Sequence, residues 1–103
     1  MGDIVIVAYR PKSGHEAELA DLVASHVPDL RAWGLATDMP ATTMRARDGT
    51  IVEVFEWHAG ATAKAHADPR VLTIWGKFGA ACDIVGLRDV AETADLFATF
   101  APV

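Results

Sequence analysis

The spacing of apolar residues changes several times along the chain, from strand-like runs to helical periods and back. Residues 3–10 (DIVIVAYR) form a β-branched run of strand length that ends at a proline, which cannot donate to a sheet ladder. Leucine and valine then recur every three or four residues over 14–33, the spacing of an amphipathic helix. Ser13 and Glu16 match a capping box at the start of this segment, and Gly34 offers a stop at its end. The pattern predicts one strand followed by one helix.

The middle of the chain predicts a hairpin. Residues 42–47 and 50–57 are strand-like runs on either side of Asp48-Gly49. This dipeptide is suited to a two-residue type I′ turn, whose central residues both have positive φ. We therefore expect the two runs to pair as neighbouring antiparallel strands.

The last part of the chain predicts a helix in two pieces, a short turn and a final strand. Alanine-rich residues 61–67 favour a helix, and an Asp-Pro pair then places a capping side chain directly before a first-turn proline. Apolar residues at helical spacing predict the second piece over 69–82. Residues 87–95 suit a short helical turn, and residues 96–103 supply aromatic and β-branched side chains for a last strand.

The predicted order of elements is β-α-β-β-α-β. This order indicates an α+β fold with a ferredoxin-like antiparallel sheet. We expect one domain over residues 1–103, because no stretch is rich enough in Pro, Gly or Ser to serve as a linker.

The faces of the predicted sheet suggest that the domain has a partner. In this topology both helices cover one face of the sheet, so the other face should be polar in a monomer. Ile4 and Ile6 instead alternate with Val5 and Val7, which makes both faces of the first strand apolar. An open apolar face favours association, and the simplest closure is a two-fold homodimer.

Charge and cysteine content exclude several classes of function. The formal net charge is -5, and the nine Lys and Arg form no basic stripe, so we expect no nucleic-acid partner. Cys82 is the only cysteine, which rules out an intrachain disulfide. The opening MGDIVIVAYRP lacks the basic region and the length of a signal or membrane segment. These features predict a cytoplasmic protein without a membrane partner.

Two stretches carry a resemblance to a known family. They are VEVFEW at 52–57 and AHADPRV at 65–71, an acidic-aromatic third strand followed by an Ala-His pair and a proline. Together with the order of elements, they resemble the antibiotic-biosynthesis-monooxygenase group of the dimeric α/β-barrel superfamily, and the likeness covers nearly the whole chain. The resemblance implies a dimeric α/β barrel with a cavity in each subunit between sheet and helices.

The resemblance leaves the reaction open. Members of this group oxidise quinol-like and polyketide aromatics without a cofactor, degrade haem or catalyse small isomerisations, and many have no known activity. The haem-degrading branch pairs a first-strand Asn with a Trp and a second-helix His. This chain has Trp57 and His66 but contains no Asn, so haem degradation is disfavoured.

His66 and Glu56 are the predicted catalytic residues. His66 lies just before the helix break, where its imidazole could face a cavity and exchange protons near neutral pH. The alternative is a half-exposed histidine that only hydrogen-bonds the interrupted helix near Asp68. Glu56 lies next to the strand end nearer His66, and it is either a second proton-handling group or the partner of Arg45 or Arg47 across the hairpin.

Glu53 and three aromatic residues are the predicted substrate-binding residues. Glu53 and Glu56 are three apart on a strand and so point to opposite faces of a largely apolar sheet. Glu53 is therefore either a buried group that binds substrate or the partner of Arg45 or Arg47 across the hairpin. Trp57 and Tyr9 are expected as pocket walls, and Trp75 belongs either to the helix core or to the same pocket.

These observations favour a cofactor-free enzyme that acts on an aromatic or otherwise apolar small molecule, with monooxygenation as one candidate reaction. No metal site is predicted, because the histidines lack HExxH-type spacing and there is no CxxC. Nucleotide-binding motifs are absent as well. The alternative is a non-catalytic homodimeric module that binds a hydrophobic metabolite or a protein partner.

Overall fold

Residues 2–103 are described by a computed structural model, in which they form a five-stranded sheet and three α-helices. The strands are β1 Gly2–Pro11, β2 Thr42–Arg45, β3 Ile51–His58, β4 Cys82–Val85 and β5 Ala101–Pro102. The helices are α1 Glu16–Ala32, α2 Ala61–Ala65 and α3 Pro69–Ala81, with 3₁₀ turns at Leu87–Asp89 and Ala91–Ala94. The strand order is β4-β1-β3-β2-β5, and every neighbouring pair is antiparallel. The predicted α+β class with an antiparallel sheet is confirmed.

The helices pack on one face of the sheet because β1 and β3 present alternate residues to it. The pairing of Val5 with Phe55 and of Tyr9 with Ile51 places these side chains on the helix side. Two apolar clusters form there, one around Phe55 and one around Phe78 of α3. Each large apolar side chain removed from water contributes about 1.5–3 kcal/mol, so these clusters hold the layers together.

The fourth strand is where the prediction was wrong. We expected helix over 69–82 and a last strand over 96–103, but α3 ends at Ala81 and Cys82 has extended dihedrals of φ -152° and ψ 170°. Strand β4 follows without a loop, because β-branched Ile84 and Val85 pair with β1. Only Ala101–Pro102 of the predicted last strand forms a ladder, and it pairs with β2.

Two local sequence patterns also predicted structures that do not form. The hairpin is not closed by a type I′ turn, because Asp48 does not have positive φ and only Gly49 does, at 92°. The amide of Gly49 donates to the carbonyl of Ala46, which leaves a type I turn followed by a left-handed glycine. The capping box is not formed either: α1 begins at Glu16 after His15, and no side chain caps its first turn.

The other face of the sheet is covered only in part. Val90, from the segment after β4, packs with Ala8 and Val52 on this side. Ile4 and Ile6 lie on the uncovered part and are 61% and 48% exposed. Within the described residues, no helix combines the length and the hydropathy needed to cross a bilayer.

Gly49 and Gly76 give a matched test of the backbone. A Gly49→Ala substitution should lower the free energy of unfolding by about 1–2 kcal/mol, since a Cβ disfavours the left-handed conformation. A Gly76→Ala substitution in α3 should raise it by about 0.5–1 kcal/mol, because the added methyl meets nothing within 4 Å. Urea unfolding of both variants measures the two changes, and equal effects of the same sign would contradict the assignment of the turn.

Candidate functional site

A cavity of about 280 Å³ lies between the helices and the sheet. Strands β1, β3 and β4 form one wall, and α1, α3 and the residue that follows α2 form the other. Its lining is almost entirely apolar, with two imidazoles among the aromatic rings. The lining residues are Val5, Val7, Tyr9, His26, Phe55, Trp57, His66, Trp75, Phe78 and Ile84.

Behind this cavity lies a buried carboxylate. Glu53 is fully buried on the helix side of β3, directly opposite Val7 of β1. The Tyr9 hydroxyl donates to its Oε1 at 2.8 Å, and His26 Nδ1 lies 2.9 Å from the same oxygen. Residues from β1, β3 and α1 therefore meet at one polar point inside an apolar core.

The fourth member of this network settles the tautomer of His26. The indole N–H of Trp75 is only a donor, and its Nε1 lies 3.2 Å from His26 Nε2. Nε2 must therefore accept, which places the imidazole proton on Nδ1, from where it donates to Glu53. A continuous hydrogen-bond chain runs from Trp75 through His26 to Glu53, and Tyr9 joins it at the carboxylate.

The environment of the network controls its protons. Burial, followed by the charge of the Glu53 carboxylate and the hydrogen bond to it, raises the pKa of Tyr9 well above its usual value. Tyr9 therefore remains a protonated donor at physiological pH. Glu53 Oε2 is buried and has no hydrogen-bond partner within residues 2–103, so the carboxylate is incompletely satisfied.

A second imidazole lies at the exposed end of the cavity. His66 follows α2, and its Nδ1 lies 2.7 Å from the carbonyl oxygen of Thr62. A carbonyl can only accept, so Nδ1 carries the proton and the lone pair is on Nε2. The ring meets the Trp75 indole edge-on, with centroids 4.9 Å apart. His66 can thus act as a base toward a molecule in the cavity.

The local sequence explains where His66 lies. Asp68 caps α3 by accepting from the backbone N–H of Arg70, and Pro69 occupies the first turn. The predicted break between the two helical pieces is therefore present, and α2 ends at Ala65. His66 is the first residue after α2, beside the cavity.

The structure brings together most, but not all, of the predicted site residues. His66, Trp57, Tyr9 and Trp75 all line the cavity. Glu53 contacts it indirectly through two of the lining residues, and it pairs with His26 and Tyr9 rather than with an arginine of the hairpin.

Glu56 lies apart from this group. It alternates with Trp57 along β3 and so points to the opposite face of the sheet. There its Oε1 accepts a hydrogen bond of 2.8 Å from the Thr37 hydroxyl. The predicted pairing of Glu56 with His66 in one pocket is not formed.

His26 is the residue that sequence reasoning missed, although its position carried a signal. Leu19, Val23, His26 and Leu30 are spaced by four, three and four residues, which places His26 in the middle of the buried stripe of α1. A histidine on such a stripe needs a buried partner, and a glutamate on an otherwise apolar strand needs one too. Pairing His26 with Glu53 on this ground would have identified the hydrogen-bonded pair from the sequence.

Across residues 2–103, no three His, Cys, Asp or Glu side chains are grouped so that they could hold a metal ion. Comparisons with protein-family models, curated proteins and solved structures find no match to this chain.

Tyr9 is the only tyrosine of the chain, which makes its ionisation directly visible. An unfolded tyrosine ionises near about pH 10, whereas the folded protein holds Tyr9 protonated above that value. The network should therefore stabilise the fold fully below about pH 10 and lose this contribution as the pH rises further. Absorbance of tyrosinate at alkaline pH should appear only together with unfolding, followed by circular dichroism. Tyrosinate forming in the folded protein at its ordinary pH would contradict the buried hydrogen bond.

Proposed function

We propose that this protein is a cofactor-free enzyme that binds a small aromatic or otherwise apolar molecule in the cavity between sheet and helices. The observation that carries the proposal is an apolar cavity of about 280 Å³ lined by the exposed His66, whose Nδ1 is bound to the Thr62 carbonyl while no hydrogen bond within the described residues uses its Nε2. Ligand cavities usually combine an apolar lining with a few convergent polar groups, and they begin near this size.

In this proposal His66 is the general base. Its Nδ1 is held by the Thr62 carbonyl, which orients the ring and leaves Nε2 to take a proton from the bound molecule. Trp57, Trp75 and Tyr9 form aromatic walls against which a planar ring can pack. Glu56 has no part in this cavity, because it lies on the opposite face of the sheet.

Oxygenation of an electron-rich phenol or quinol is the reaction we favour. Removal of the hydroxyl proton gives an anion that can donate electrons to O₂. One such reaction converts a CH₂ group that the phenol ring activates into a ketone. The substrate then supplies all four electrons that reduce O₂. One oxygen atom enters the product, and the other leaves as water. The apolar walls would shield the anion from competing protonation.

The assembly proposed for this enzyme is a homodimer of the dimeric α/β-barrel type. The order β4-β1-β3-β2 with helices on one face is compatible with a ferredoxin-like subunit. The uncovered part of the other face carries Ile4 and Ile6, and a second copy packed there by a two-fold axis would remove them from water.

One observation favours a second candidate, a non-catalytic module that binds a hydrophobic metabolite. His26, the more deeply buried of the two lining histidines, already has both ring nitrogens in hydrogen bonds within the fold. If His66 only orders the end of α2, the cavity would bind a ligand without changing it.

A thermal-shift screen against quinols, polycyclic phenols and short acyl compounds tests the proposal. A ligand at a hundred times its dissociation constant should stabilise the fold by about 2.7 kcal/mol, which raises the melting temperature by several degrees. For a compound whose conversion by the protein consumes O₂, His66→Gln should lower turnover about a hundredfold, as expected for loss of a general base. His58→Gln, at the exposed end of β3, is the control and should keep full activity. Binding without turnover would favour the second candidate.

The dimer is tested by two glutamate substitutions at equally exposed apolar positions. Ile6 on the open sheet face is 48% exposed, and Leu72 on α3 is 49% exposed. A charge buried in an interface is costly, so Ile6→Glu should increase the dissociation constant of the dimer at least tenfold, whereas Leu72→Glu should leave it unchanged. Light scattering over a concentration series measures both. A wild-type monomer at all concentrations would refute the dimer.

A further inference from the structure

The hydrogen-bond chain behind the cavity contains a buried carboxylate with no lysine or arginine beside it. The Trp75 donor keeps His26 in its neutral form, so His26 gives Glu53 a hydrogen bond but no positive charge. No lysine or arginine of the described residues lies within ion-pair distance of Glu53, and its Oε2 has no partner. A fully buried carboxylate in this state is costly, and a proton on the neighbouring imidazole would turn it into an ion pair.

Only one atom of the network can take that proton from the cavity side. Nδ1 of His26 is already protonated, which leaves Nε2, and Nε2 lies under the Trp75 indole. The groups around this imidazole are Glu53 of β3, Tyr9 of β1 and, beyond the indole, His66. Phe55 and Phe78 contact the ring and carry no charge. Trp75 is half-buried and lines the cavity, so a bound molecule would contact it directly.

We infer that His26 is a second proton acceptor of the cavity, covered by Trp75, and that the cavity selects aromatic molecules with a weakly acidic hydroxyl. Such a molecule replaces the indole N–H at Nε2 with its own O–H donor. The O–H bond then breaks, the electron pair stays on oxygen, and the proton forms an N–H bond at Nε2. The imidazolium lies between the Glu53 carboxylate and the new phenolate, so both anions share one cation.

The indole itself indicates this ligand class. In the unliganded protein, Trp75 presents a flat apolar ring with one hydrogen-bond donor to Nε2. A phenol or a stable enol has the same two features, and its hydroxyl is far more acidic than an indole N–H. A methyl ether of the same ring fills the space but has no proton to give. The inference rests on the proposed function only in requiring that an aromatic molecule enters the cavity.

A coloured phenol tests the transfer directly. We would titrate the protein with 4-nitrophenol, whose neutral and ionised forms absorb at different wavelengths, and follow binding by tryptophan fluorescence. At a pH where free 4-nitrophenol is mostly neutral, the bound molecule should be at least threefold enriched in phenolate. His26→Gln should lower the enrichment at least twofold while His58→Gln retains it, and 4-nitroanisole should bind more weakly to wild type.

The variants also identify outcomes that overturn the inference. A bound molecule that stays neutral in the wild type would overturn it. Enrichment that survives in His26→Gln but is lost in His66→Gln would overturn it as well, while supporting His66 as the only base. In that case the proposed function stands and the second acceptor does not.

A measurement without ligand keeps the inference testable if His26→Gln unfolds. Imidazole ¹⁵N spectra of the wild type should show His26 protonated on Nδ1 and accepting on Nε2. In Trp75→Phe the donor to Nε2 is gone, so the ratio of imidazolium to neutral His26 should rise about threefold or more at a fixed mildly acidic pH. An unchanged ratio would overturn the role of Trp75 and with it the inference. Absence of binding by every phenol tested would overturn the inferred selectivity, while the proposed function would still be decided by the other compounds of the thermal-shift screen.

Discussion

The burial of one carboxylate organises this structure. Glu53 lies on the middle strand of the sheet and is fully buried, where an unpaired charge costs several kcal/mol. Its only partners within the described chain are the Tyr9 hydroxyl of β1 and the His26 imidazole of α1. The requirement to satisfy this group ties the first strand, the first helix and, through Trp75, the third helix to a single point. Apolar packing alone would not specify that alignment so narrowly.

The same constraint sets the character of the cavity. Tyr9 and His26 turn their polar atoms toward Glu53 and the indole, and the cavity receives mainly their rings. The space therefore has an apolar surface although a hydrogen-bonded network lies directly behind it. An apolar wall with polar atoms one layer deeper can admit an aromatic ring first and act on its hydroxyl afterwards.

The sequence predicted the parts of this fold that depend on local pattern. Strand β1, helix α1, the hairpin strands and the Asp68-Pro69 break all follow from periodicity or capping chemistry. Strand β4 was missed because Cys82 continues the helical spacing of α3, and only pairing with β1 pulls the chain into an extended form. The turn at Asp48-Gly49 was misread because the dipeptide also suits a type I turn with a following left-handed glycine.

The sequence predicted site residues only where the chemistry and position of a single residue were enough to select it. Tyr9, Trp57, His66 and Trp75 were selected by chemistry and helix or strand position, and they do line one cavity. Glu56 was placed with them by nearness along the chain, although strand alternation sends it to the other face. The pair of His26 and Glu53 joins residues 27 apart, and its existence depends on how α1 is rotated against the sheet. The apolar stripe of α1 indicates that His26 faces the sheet, but it does not indicate which strand residue the imidazole meets.

The direct junction between α3 and β4 has a mechanical consequence. Because no loop separates Ala81 from Cys82, and the Lys12 amide holds the Ala81 carbonyl at 2.9 Å, this end of the helix is fastened to the sheet. The opposite end begins after the break at Asp68, where Val71 packs against the apolar cluster around Phe55 but no backbone hydrogen bond within the described residues joins the helix to a strand. A tilt of α3 against the sheet would therefore pivot near Ala81. Trp75 lies farther from Ala81 along the helix than Phe78, so such a tilt would move Trp75 more and would widen the cavity mainly beside it.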